Sequence, residues 1–145
     1  MHLVASPIED DAVVALAGFA SGNLEALEGY DLERIATAAI LLLARYGCYL
    51  YSDIERPLGE VADDFAQQMV ADLNITHAEA RFWLLYALCD AEPSIRQELD
   101  ERINFGAVFA VFCWMSQLLA TSLDVTTGEF VREVGSPTWR SPERL

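Results

Sequence analysis

The feature that most constrains this chain is a run of 21 residues without a charge, Ile103–Leu123. A run that long either crosses a bilayer or lies at the centre of a globule, covered by apolar neighbours on every side. Its content favours the second. Asn104, Gly106, Ser116, Gln117, Thr121 and Ser122 interrupt it, and no basic cluster flanks it beyond Arg102.

A buried helix needs partners, and the rest of the chain is patterned to supply them. With 53% hydrophobic and 22% charged residues over 145 positions, the composition is that of one packed globular domain. The punctuation predicts about six helices. Ser6-Pro7-Ile8-Glu9 has the form of a capping box with proline at the first helical position, and Glu9, Asp10 and Asp11 sit where the helix dipole favours acids. Ser21-Gly22-Asn23 ends that helix, and a short turn is expected over Leu24–Glu28. Gly29-Tyr30 is a break, after which Asp31 caps a helix running to about Tyr51. Ile35, Ala38, Ala39, Ile40, Leu41, Leu42, Leu43, Tyr46 and Leu50 make this helix apolar nearly all round.

The fourth helix, about residues 59–73, is amphipathic, with Val61, Phe65, Met69 and Leu73 opposite Glu60, Asp63, Asp64 and Gln67. Thr76-His77-Ala78-Glu79 is a second capping box, opening a helix that stops near Asp90–Pro93. The sixth begins around Ser94, with Ile95, Leu99 and Ile103 inward, and passes a kink at 104–106 into the uncharged run. The expected fold is all-α, an irregular bundle of about six helices with two highly apolar central helices and an extended C-terminal tail. Residues 1–123 form the helical domain, and residues 124–145 a tail packed on or extending from it. Asp124–Val134 reads as a short hairpin about Thr127-Gly128 or one more helical turn; 136–145 holds two prolines and should be extended, with Trp139 able to pin it.

The net charge of −14 comes from 23 acids against 9 bases, every one an arginine. Residues 1–33 carry seven acids before the first base, Arg34, and residues 53–72 carry six acids with only Arg56. Such a field repels nucleic acid and anionic lipid, so neither direct nucleic-acid binding nor membrane binding is expected, and a basic protein partner is favoured. Cys48, Cys89 and Cys113 are widely spaced within apolar runs, which predicts reduced core thiols and a cytoplasmic setting. The start, Met1-His2-Leu3-Val4, lacks the pattern of a secretory signal.

Chemistry-bearing motifs are sparse. His2 and His77 are the only histidines, no His/Cys cluster exists, and GFASG at 18–22 lacks the Lys-Ser/Thr of a phosphate loop. Carboxylates three apart share a helix face and can share a divalent ion; Glu25/Glu28 and Glu60/Asp63 have this spacing, as do Glu28/Asp31 and Glu98/Glu101. The first two loosely resemble the metal-binding motifs of all-α nucleoside-triphosphate pyrophosphatases. Random placement of 23 acids in 145 positions gives about 3.6 such pairs, against the four present, so the match carries little information.

No catalytic residues and no cofactor are expected. The charge and the missing catalytic cluster point instead to a small protein acting by protein–protein binding, such as an immunity protein, antitoxin or inhibitor of a basic partner. Tyr49, Tyr51, Asp53, Glu55, Glu60, Asp63 and Asp64 are the expected interface, aromatic hydroxyls beside an acidic stripe. Two alternatives come from other classes. One is a Mg-dependent all-α hydrolase of phosphorylated small molecules that uses Glu25, Glu28, Glu60 and Asp63. The other is a helical scaffold that binds an apolar ligand or pairs as a homodimer.

Overall fold

A computed structural model describes residues 8–50, 58–88 and 105–140, and the described residues form six α-helices and one 3-10 turn with no strand. Helix α1 spans Asp10–Ala20 and buries Ala12, Val13, Leu16 and Ala20 on one side. It ends where Gly22 takes φ +105°, a left-handed conformation that a side chain rarely adopts. The 3-10 turn Leu24–Leu27 follows, with the Asn23 side chain accepting from the Glu25 N–H at 3.2 Å. Helix α2, Leu32–Leu50, is capped by Asp31, whose Oδ1 accepts from the Glu33 N–H at 3.1 Å.

Helices α3 (Leu58–Asp72) and α4 (His77–Leu88) pack side by side, and α4 also lies on α2. The second capping box holds its donor: the Glu79 N–H reaches Thr76 Oγ1 at 3.2 Å. Helix α5, Phe105–Ser122, is the uncharged run, and it touches α1, α2 and α4 as well as the last helix, α6, Thr127–Val134. Burial explains why α5 tolerates so little polarity, since Val108, Val111, Phe112, Met115 and Ser116 are all fully buried. Among the described residues it is the one helix long and apolar enough to cross a membrane, and half of that stretch is buried against the fold.

The core centres on Tyr46, with its ring 6.0 Å from Phe112 and 5.2 Å from Phe130. Its hydroxyl is 2.8 Å from Ser116 Oγ, which donates to the Phe112 carbonyl at 2.7 Å, so the tyrosine is the donor to serine. Burial pushes the Tyr46 phenol up, which keeps that proton in place. Cys113 is a half-buried free thiol pushed up to about 12 by desolvation, protonated and unreactive at neutral pH. The side chain of Cys48 and the whole of Cys89 lie outside the described residues.

Three expectations need correcting. First, α2 is not apolar nearly all round, and among the described helices only α5 is long and apolar enough to count as a highly apolar central helix. Glu33, Arg34 and Thr37 expose one face of α2, while Ile35, Ala39, Leu42 and Leu43 bury the other. Its central position holds, because α2 touches α1, α4, α5 and α6.

Second, the segment after residue 123 takes the helical alternative and not the hairpin, so the tail is not extended throughout. Asp124 takes φ 58°, Thr126 Oγ1 accepts the Glu129 N–H at 3.2 Å, and α6 buries Phe130, Val131 and Val134 against α1, α2 and α5. Third, α1 opens at Asp10 with Glu9 in the capping position and no side-chain cap. Ser6 and Pro7 lie outside the described residues, as does the expected helix start over 94–104.

Candidate binding cleft and acidic faces

Both helix N-termini at one side of the bundle carry acids. Glu9, Asp10 and Asp11 open α1, and Asp31 and Glu33 open α2, each where the positive end of a helix dipole stabilises it. The two helices pack together, so acids far apart in sequence meet, and Arg34 is the cation between them. Its Nη2 lies 2.7 and 2.8 Å from the two Asp11 carboxylate oxygens, and its Nε donates to Glu9 Oε2.

Beside this clamp is a cleft of about 460 Å³. Ile8, Ala12, Ala38 and Leu41 supply apolar lining, and Glu9, Asp31, Glu33, Arg34 and Thr37 supply the polar part. Glu9, Asp11, Asp31 and Glu33 set four carboxylates against one guanidinium, and that guanidinium is already held by two of them. The local field therefore stays negative.

The hydrogen bond from Arg34 holds the Asp11 carboxyl below its ordinary value, against an opposing desolvation and with the help of the guanidinium's positive charge. A depressed folded-state pKa adds stability that is complete above the ordinary aspartate value of about 3.9 and lost as pH falls through the lower folded value. Because both partners are well exposed, salt screens this pair and its contribution is small. An NMR titration is expected to place the Asp11 midpoint below that of a free aspartate, and Arg34→Ala should raise it. A midpoint unmoved by that substitution would remove the clamp as its cause.

A second group of acids lies on α3, and part of it is used internally. Asp63 accepts from Arg81 Nε at 2.7 Å, with His77 Nε2 4.0 Å away, which ties α3 to α4. Asp72 accepts from the Trp114 indole at 2.9 Å, which ties α3 to α5. Glu60 and Asp64 are exposed on the same helix.

Of the expected interface, Tyr49 is half-buried; its ring meets Phe130 edge-on at 5.3 Å and its hydroxyl accepts from the Trp139 indole at 3.0 Å. Arg45 fastens the same segment, donating to the Val134 carbonyl at 2.6 Å and lying 5.1 Å over the Trp139 ring. Tyr51, Asp53 and Glu55 lie outside the described residues. Glu25 and Glu28 are exposed at the 3-10 turn, whereas Glu60 and Asp63 are on α3. Among the described residues no three His, Cys, Asp or Glu side chains are gathered so as to hold a metal ion.

Sequence reasoning missed the α1–α2 cleft and the roles of Glu9, Asp11, Asp31, Glu33 and Arg34 in it. One signal was present: a single arginine following seven acids is the natural counter-ion for the earlier ones. No protein-family model matches the chain, and no curated protein or solved structure shows detectable similarity to it.

Proposed function

We propose that this chain acts by contact, as a small acidic binder of a basic partner protein in the manner of an immunity protein, antitoxin or inhibitor. The observation that carries the reading is the α1–α2 cleft, a hollow of mixed apolar and polar lining with more carboxylates than cations around it. A negative field of this kind steers a basic protein into encounter and rejects acidic competitors, while the apolar lining supplies surface to bury. The exposed Glu60 and Asp64 on α3 extend the same sign of charge to a second face. A cytoplasmic setting fits reduced cysteines such as Cys113. The hydrolase alternative is less well supported, because Asp63 is engaged by Arg81 instead of facing Glu25 and Glu28 across a shared site.

The test is chemical crosslinking in the source cells, identification of the captured protein, and reassembly from purified components. The expected result is a stoichiometric complex with a basic protein, associating more slowly as salt is added. Absence of any complex that reassembles, or a complex indifferent to salt, would overturn the reading.

A further inference from the structure

We infer that the α1–α2 cleft receives an arginine side chain carried on a basic segment of the partner protein, an assignment that rests on the contact reading above. Size is the first argument. At about 460 Å³ the cleft falls in the lower part of the range of ligand pockets, room for a long side chain and its neighbours but not for a docked helix. Lining is the second. Ile8, Ala12 and Leu41 suit an aliphatic stem, and the acids suit its charged head, the division of labour that long basic side chains require.

The third argument is that the same place already holds a guanidinium. Glu9 on the cleft wall and Asp11 beside it grip Arg34 from α1, so a carboxylate of the cleft stands where such a group is bonded. Two acids remain on the other wall. Among the described residues the Glu33 carboxylate has no side-chain partner, and Asp31 gives one oxygen to the Glu33 N–H. An incoming arginine thus meets Asp31 and Glu33 directly, and competes with Arg34 for Glu9. Arginine suits the site better than lysine, because its planar, weakly hydrated head leaves water more readily and bonds carboxylates through several N–H groups.

The experiment measures binding of the full chain to a labelled ten-residue peptide carrying two arginines among glycine and alanine, by fluorescence anisotropy at low salt. Replacing both arginines with citrulline, which keeps shape and removes charge, should abolish binding. Asp31→Asn with Glu33→Gln should weaken it about tenfold, since asparagine still caps α2 and keeps the fold. Arg34→Ala should strengthen it several-fold by releasing Glu9 and Asp11. Circular dichroism and a thermal melt on each variant establish that it is folded.

If the peptide binds and none of these substitutions in the cleft changes its affinity, the contact lies elsewhere; the inference falls and the contact reading stands. If neither the peptide nor any captured protein binds, the contact reading itself falls. Equal binding of spermidine would make the occupant a free polycation and overturn the assignment. So would a dimer that dissociates on the same substitutions, because a second copy would then fill the cleft.

Discussion

Phe130→Ala is expected to destabilise the fold by about 3–5 kcal/mol. The side chain is 1% exposed, and it stands between two tyrosine rings, 5.2 Å from Tyr46 and 5.3 Å from Tyr49. The loss combines the transfer of a large apolar group with the hole it leaves, and the hole is what sets the value within the range. Neither tyrosine can swing in to fill it. Ser116 holds the Tyr46 hydroxyl, and Trp139 holds that of Tyr49. Urea unfolding should show a lower midpoint at unchanged slope, and the melting temperature should fall by on the order of 10 °C. A loss under about 1 kcal/mol would mean that α6 is an appendage and not part of the core.

Gly135→Ala is the second large effect, at about 1–3 kcal/mol of destabilisation. The glycine has φ −78°, so alanine fits the backbone and the whole cost comes from contact. A Cβ there would lie 2.7 Å from both methyl carbons of Val13 and 3.1 Å from the Val131 carbonyl oxygen. Val13 is buried on α1 and β-branched, with one strongly preferred rotamer in a helix, so it has little freedom to retreat. The collision can be relieved from the other side. In Val13→Ala with Gly135→Ala, the two losses should sum to less than their separate values, with a coupling of roughly 0.5–3 kcal/mol. Strict additivity would show that the close approach of α1 and α6 is not what glycine permits.

Local signals in the sequence proved sound where the physics is local. Asp31 and Thr76 cap the helices their spacing announces, and Gly22 and Gly29 break the chain where they stand. The uncharged run is a packed central helix, because Val108, Phe112 and Met115 have nowhere to meet water. On α2 the density of leucine and isoleucine hid a three-residue exposed face, Glu33, Arg34 and Thr37.

The C-terminal segment reads as either hairpin or helical turn for a different reason. Thr127-Gly128 resembles a turn, yet Thr126-x-x-Glu129 is a capping pattern, and Gly128 is buried where a Cβ would sit 3.1 Å from Ser21 Oγ at the end of α1. A glycine selected for close helix approach looks, in sequence, like a glycine selected for a turn. The cleft was out of reach of periodicity altogether. Arg34 finds Asp11 across 23 positions and Glu9 across 25, and only the packing of α1 on α2 brings them together.

The hydroxyl pair at the centre bears on how α5 knows which way to face. A helix apolar on nearly every side gains similar burial in many rotational settings, so hydrophobicity alone leaves its orientation about its own axis loosely determined. A slip of one residue would turn it by about 100° and carry Ser116 away from Tyr46. The Tyr46 hydroxyl would then sit in the dry interior without its acceptor, at about 1–3 kcal/mol, while Ser116 keeps its bond to the Phe112 carbonyl of its own helix. The buried Ser116 hydroxyl thus acts as an angular key, making one setting of a nearly featureless helix better than its neighbours.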